Sequence, residues 1–347
     1  MSVTPILENV WYFGLPSSEL AKGKMKSLVI CGEPVVFFRN EQGQVAALRD
    51  ICPHRGIPLS YGQVLNGEVE CPYHGWTFNR EGQCTRIPSL TKDQDLDCRK
   101  IRVKNFPVKE HQGLIWIFRG DKNADPSKAP PIPEMKFWGA DVKPKFHKVV
   151  DFPCHIDHAV IGLMDPAHGP YVHKSWFWRS AKQMHEKRKK FGPVDHGFQM
   201  IRHKPSSNSK AYKIFGGAPT TEINFSLPSV RVEHILVGER NFVSYTALTP
   251  VTENLTRVSQ MAYWDIPWLG IFSPFIKGFA NVFLGQDRDA VTKQQDGLRY
   301  DPSLMLIKDA DTQAKWYYGL KDELLKSRVE NRSFVNPVQE TELKWRS

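Results

Sequence analysis

Residues 52–56 read CPHRG and residues 71–76 read CPYHGW. Each stretch supplies one Cys and one His: Cys52 and His54 in the first, Cys71 and His74 in the second. The pattern is C-x-H, sixteen residues, then C-x-x-H. Two thiolates and two imidazoles are the ligand set of a [2Fe–2S] centre with both Cys on one iron and both His on the other. Pro53, Gly56, Pro58, Pro72 and Gly75 suit the tight, rigid loops such ligands need. A structural zinc site of Cys₂His₂ type spaces its pairs as C-x₂₋₄-C and H-x₃₋₅-H. Here Cys and His alternate within each pair, which does not fit that site. A chain carrying such a cluster handles electrons one at a time.

CPHRG and CPYHGW resemble the ligand loops of the Rieske domain in ring-hydroxylating and demethylating non-haem iron oxygenases, where this domain belongs to the alpha subunit of the terminal oxygenase. Respiratory Rieske proteins are less similar. They carry an extra Cys in each loop, joined as a disulfide, and the matching positions here are Ile57 and Tyr73. A Ser after the HG of the second loop is replaced by Trp76. Fewer hydrogen bonds to the cluster sulfurs lower its potential, which suits electrons arriving ultimately from a nicotinamide cofactor.

A second candidate site lies at 165–173, DPAHGPYVH. His168 and His173 are five apart, with Asp165 three before the first. Five residues turn about 140° on a helix, so an unbroken helix does not converge both imidazoles. Gly169 and Pro170 lie between them, and a helix ending there can bring His173 round. Two His need one carboxylate to form a facial triad on Fe(II), which leaves positions open for O₂. The resemblance implies which residues these are. The family pattern D-x-x-H-x-x-x-x-H matches Asp165, His168 and His173, with both His as iron ligands. Its Asp links an iron-bound His to a Rieske His of the neighbouring subunit, so Asp165 is expected to be an electron bridge. At i,i+3, Asp165 and His168 share a helix face, as an outer carboxylate on a ligand His requires. The family's third ligand falls in a segment like F-x-x-D-x-x-V-x-x-x-Q, and FLGQDRDAVTKQQ fits it with Asp287 as ligand and Gln294 seven later. Asp289 is the rival, facing about 200° away at helical spacing. Many relatives have Asn or Asp where this chain has Gly162, which removes an outer hydrogen bond from the bridge and leaves the ligands intact. A helix stop with two surface His is the plainer reading of DPAHGPYVH taken alone.

The chain has 347 residues, enough for two domains, and its 41% hydrophobic and 12% aromatic content is that of a globular protein with a good core. Of six Cys, Cys31, Cys84, Cys98 and Cys154 have no spacing that suggests a disulfide framework, so a reducing cytoplasm is expected. The opening MSVTPILENVWYFG lacks a basic region followed by an apolar run, so no secretory signal is expected. The most apolar stretch, WLGIFSPFIKGFANVFLG at 268–285, is interrupted by Pro274 and Lys277 and reads as a buried or cleft-lining helix, not a membrane span. Net charge is +10. The densest basic run, KQMHEKRKK at 182–190, comes with no nucleic-acid-binding motif and reads as a solvated helix. A basic face also steers small acidic electron carriers.

Residues 26–48 alternate apolar and polar with turns near Gly32 and at 40–43, and GLIWIFRG at 113–120 adds a strand, so the cluster loops sit on a small all-β domain. DKNADPSKAPPIPE at 121–134 reads as a linker. The expected domains are 1–125, whose first residues can pack on the other domain, and 126–347. A helix over 155–168 carries Asp165 and His168, strands fill 198–266, and helices cover 275–298 and 308–330. This is an α+β chain whose C-terminal domain is an antiparallel sheet flanked by helices, helix-grip-like. The aromatic run Trp176-Phe177-Trp178 reads as core or as an active-site wall.

The resemblance implies a terminal oxygenase, an oxidoreductase holding a Rieske [2Fe–2S] cluster and mononuclear Fe(II) in a head-to-tail homotrimer. It would use O₂ and electrons from a ferredoxin or NAD(P)H-dependent reductase to mono-oxygenate or demethylate an aromatic or apolar small molecule. No G-x-G-x-x-G fingerprint follows a strand, so a separate reductase is expected. Three rivals remain: cis-dihydroxylation at the same iron, a Rieske electron carrier with an inert second domain, and a zinc hydrolase on the downstream His pair.

Overall fold

The computed structural model describes residues 3–121, 123–173, 184–205, 212 and 215–347. Two compact units emerge: residues 8–129 with 134–143, and residues 1–7, 130–133 and 144–347. Residues 134–143 belong with the N-terminal unit, where the buried Gln112 amide accepts from Met135 N–H and donates to the Met135 and Trp138 carbonyls.

The N-terminal unit is built of short antiparallel strands. They are β1 (Val10–Pro16), β2 (Lys24–Ile30), β3 (Glu33–Arg39), β4 (Val45–Arg49), β5 (Gln63–Leu65), β6 (Glu68–Glu70), β7 (Thr77–Phe78), β8 (Cys84–Arg86), β9 (Asn105–Phe106), β10 (Val108–His111) and β11 (Leu114–Arg119). They form sheets ordered β1-β11-β10, β2-β3-β4-β9 and β5-β6-β7-β8. The Cys52 loop joins β4 to β5, and the Cys71 loop joins β6 to β7. Both loops rest on one apolar core containing Val36, Phe38, Leu48, Leu59, Val69 and Phe78.

The C-terminal unit is one eight-stranded antiparallel sheet. Its strands are β12 (Phe146–Phe152), β13 (Glu186–Val194), β14 (Gly197–His203), β15 (Thr220–Ser226), β16 (Val230–Val237), β17 (Arg240–Thr252), β18 (Leu255–Trp264) and β19 (Thr341–Arg346), in the order β12-β18-β17-β16-β15-β14-β13-β19. Helices α1 (Ile156–Met164), α2 (Gly169–Val172), α3 (Ser273–Leu298) and α4 (Thr312–Val329) complete it. On α4, Trp316 packs on Phe191 and Phe198, and Tyr317 meets Phe225 edge-on. The apolar stretch at 268–285 runs into α3, and among the described residues no helix is long and apolar enough to cross a membrane.

Two expectations need correction. The helix expected over 155–168 stops at Met164, and Asp165 is extended at φ −62°, ψ 118°. Pro166 explains this, because a residue preceding proline is driven out of the α region. Within the basic run, residues 186–190 form part of β13 instead of a solvated helix. Pairing with β19 gives them strand periodicity, so Lys187 is buried while Arg188 and Lys190 are exposed. Residues 182 and 183, and Trp176-Phe177-Trp178, lie outside the described residues. The segment TEINFSLPSVRVEHILV forms the hairpin β15–β16, turning at the cis Leu227–Pro228 bond.

Candidate active site

The two loops of the N-terminal unit are built alike. Cys52 N–H donates to the Ile57 carbonyl and Gly56 N–H to the Cys52 carbonyl, both at 2.9 Å. Cys71 N–H donates to the Trp76 carbonyl at 2.8 Å and Gly75 N–H to the Cys71 carbonyl at 3.1 Å. Gly56 and Gly75 close these turns at φ +75° and +69°, a region where a side chain is strained. The two Cys are buried, and the two His stand exposed with ring centroids 4.6 Å apart. Trp76 stacks on His54 at 4.6 Å, and Tyr73 stacks on His74 at 4.0 Å.

The chemistry of this donor set fits a cluster. Burial, with the Cys71 thiol adding to it, pushes the Cys52 thiol up to about 11. Only a cation would hold the Cys52 thiol as a thiolate at neutral pH. His54 is pushed down, by desolvation first and then by His74, which favours the neutral ring that a metal ligand requires. The buried Trp76 Nε1 has no protein acceptor.

In the C-terminal unit, α2 is a single turn with His168 at its N-terminal cap and His173 at its C-terminal cap. Their Nε2 atoms lie 3.1 Å apart. From α3, Asp287 Oδ1 comes within 3.2 Å of His173 Nε2 and 3.6 Å of His168 Nε2. Asp289 turns away, well exposed, and pairs with Arg288. His168 Nδ1 sits 2.6 Å from the Asp165 main-chain oxygen, which only accepts, so Nδ1 carries the proton. Likewise His173 Nδ1 faces Gln286 Oε1 at 3.0 Å. Both Nε2 lone pairs therefore point at each other and at a carboxylate. Asp287 Oδ2 is also buried with no partner. Three lone-pair donors this close repel unless a cation sits among them, so the set fits a metal ion. Burial pushes His168 below its ordinary value, which keeps it neutral.

Asp165 is placed differently from expectation. Its Oδ1 accepts from Ala167 N–H at 2.7 Å, and Oδ2 is 3.8 Å from His168 Nδ1. The main-chain oxygen, not the carboxylate, holds the imidazole. Gly162 lies beside Val291, and Gln294 lines a small neighbouring pocket together with Asp287. Gln286 and Phe283, which stacks on His173 at 3.6 Å, escaped the sequence reading. Adjacency to the candidate Asp287 was the only available signal for Gln286.

The three groups open onto a cavity of about 540 Å³ between the sheet, α1 and α3. Ile276, Phe279, Ala280, Phe283 and Leu284 of α3 line it, and the stripe ends at Asp287. That volume suits a small organic molecule.

Comparison with known proteins agrees with both halves. Residues 10–107 match the Rieske [2Fe-2S] domain, and residues 152–317 match the vanillate O-demethylase oxygenase C-terminal domain. Chlorophyllide a oxygenase of Chlamydomonas reinhardtii is 31% identical over 354 residues, covering 95% of this chain and 50% of that protein. The oxygenase component of dicamba O-demethylase of Stenotrophomonas maltophilia is 37% identical over 173 residues, or 49% of this chain and 48% of that protein. The chain thus spans half or less of the length of these curated relatives. A crystal structure of dicamba monooxygenase bound to dicamba superposes with a TM-score of 0.73 at 26% identity, covering 93% of this chain and 98% of that one.

Proposed function

The chain belongs to the Rieske oxygenases with a vanillate O-demethylase-type C-terminal domain, and from this membership we propose that it is a terminal oxygenase. It would take O₂ and electrons from a partner protein to mono-oxygenate an aromatic or otherwise apolar small molecule. At an O- or N-methyl group, the hemiacetal or hemiaminal so formed collapses, and the net reaction is demethylation. One O₂, two electrons and two protons convert a C–H bond to C–OH with release of water.

The convergence of His168, His173 and Asp287 at one end of an apolar cavity carries this reading. These three would hold the mononuclear iron, while Cys52, His54, Cys71 and His74 would hold the cluster. Iron held there would supply the chemistry that activates O₂. The chain's own residues do the rest. Gln286 and the Asp165 carbonyl fix the tautomers of the two imidazoles. Phe283 pins the His173 ring, and the α3 stripe keeps water from the bound substrate. The Asp165 carboxylate, close to His168, is the proposed electron bridge to a neighbouring subunit's His74 in a homotrimer. A ferredoxin or NAD(P)H-dependent reductase would supply the electrons, and a reducing cytoplasm suits six cysteines that form no disulfide.

Anaerobic purification followed by metal analysis and electron paramagnetic resonance tests this. A Rieske-type reduced signal, two sulfides and a third iron beyond the cluster pair are the expected result. Two iron with no further Fe(II) uptake would leave an electron carrier. Zinc in both sites would sink the reading altogether. Labelled O₂ then separates mono-oxygenation, with one atom incorporated, from cis-dihydroxylation, with two.

A further inference from the structure

Strand register places alternate residues of β15 to β18 on the wall of the cavity. The charged groups on this wall are answered within the protein. Arg231 pairs with Glu233 at 3.2 Å, and Glu233 also accepts from the Tyr212 hydroxyl. Lys187 Nζ donates to Ser347 Oγ at 2.8 Å, and Lys189 Nζ to the Lys204 carbonyl at 3.1 Å. Each of these three cations thus already has a hydrogen-bond acceptor within the protein.

Two neutral groups on it are not answered. Gln260 of β18 donates from Nε2 to Ser244 Oγ of β17 at 3.1 Å, which aims its amide. Gln260 Oε1 is buried with no hydrogen-bond partner. Thr221 of β15 is 2% exposed, and its Oγ1 also has none. Both residues line the cavity. A buried amide oxygen without a donor is unfavourable, and folded proteins seldom carry one unless a ligand or water supplies the bond. Most of the remaining lining is apolar. Along α3 the cavity runs from Ile276 to Asp287, about 16 Å at the helical rise, which is room for more than one ring.

Resting on the oxygenase reading, we propose that Gln260 selects the substrate. Its Oε1 accepts a hydrogen bond from a hydroxyl or N–H of a neutral molecule with a mainly apolar, multi-ring body. Thr221 offers a second neutral contact three strands away on the same wall. Substrates whose polar group is a carboxylate are disfavoured at this position, because a carboxylate has no proton to donate to Gln260 Oε1.

Three fluorescent probes of matched body test this on the full chain as purified: 1-hydroxypyrene, pyrene and 1-pyrenecarboxylate. Hydroxypyrene is expected to bind ten- to a hundredfold more tightly than the other two, the range for one hydrogen bond to a buried group. In Gln260→Met that preference disappears, while pyrene affinity stays within about twofold. Tightest binding of the carboxylate, or a hydroxyl preference that survives in Gln260→Met, would overturn the proposal. Should Gln260→Met lose pyrene as well, Gln260→Glu decides, since it keeps an acceptor: a retained hydroxyl preference supports the proposal and its loss overturns it. The oxygenase reading fails separately, through absence of the third iron, because probe binding is measured without turnover.

Discussion

His173 Nδ1 lies 3.0 Å from Gln286 Oε1, and the next residue, Asp287, faces the Nε2 of the same ring at 3.2 Å. A single step along α3 thus provides both the proton acceptor that sets the tautomer and the carboxylate proposed to share the iron. Gln286→Leu should lower Fe(II) affinity of the mononuclear site about 10–100-fold, as loss of an outer partner to a ligand His does. Gln286→Glu, which keeps the acceptor, should retain most of it. Fe(II) titration against a chelator measures both, and cluster absorbance should stay unchanged.

Asp287 and Asp289 are two residues apart but face different surroundings. Asp287→Asn should abolish binding of the third iron and oxygen consumption. Asp289→Asn, altering an exposed carboxylate paired with Arg288, should leave both intact. Iron per chain decides between them, and equal loss in both variants would overturn the assignment of Asp287.

Cys52→Ser and Cys71→Ser should each lose the visible spectrum of the cluster. Cys31→Ser, Cys98→Ser and Cys154→Ser should keep it, since those thiols lie outside the two ligand loops. Loss of the cluster in any of the last three would overturn the ligand set.

At the root of α1, Asp157 is fully buried. It accepts from Thr4 N–H and Oγ1, from the Tyr317 hydroxyl and from Lys321 Nζ at 2.6 Å. Lys321→Met strands this carboxylate and should cost about 3–5 kcal/mol of stability, read from urea unfolding. The Asp157→Asn, Lys321→Met double variant should recover much of that loss, because no uncompensated charge remains.

The same group sets a pH dependence. Burial disfavours the Asp157 anion, but Lys321 and the surrounding donors outweigh it and hold the carboxyl below its ordinary range. With the folded value below the unfolded one, its contribution is fully present above the unfolded value of about 4. That contribution is lost as pH falls through the folded value. The unfolding midpoint should therefore drop on acidification below about pH 4, and less steeply in Asp157→Asn.

The cluster loops were legible in the sequence because their geometry is local. Each holds a Cys and a His within four residues, and a glycine at positive φ closes each turn beside them. The His168–His173 pair was legible as a pair for the same reason. The break at Asp165 was written in the following Pro166, although the i,i+3 spacing suggested a continuous helix. The basic run misled because charge density marks solvent exposure only on average. Its strand character comes from pairing with β19, some 150 residues later in the chain. Composition and local spacing by themselves determined the electron-handling centre, the two imidazoles and the α+β class. Tertiary structure alone decided that Gln286 orients His173 across 113 residues and that Gln260, a residue lining the cavity, keeps a buried oxygen without a partner. Helix packing and strand register set those relationships. A glutamine in a helix or strand carries no sign of which distant group it faces, whereas a ligand loop carries its chemistry within a single turn.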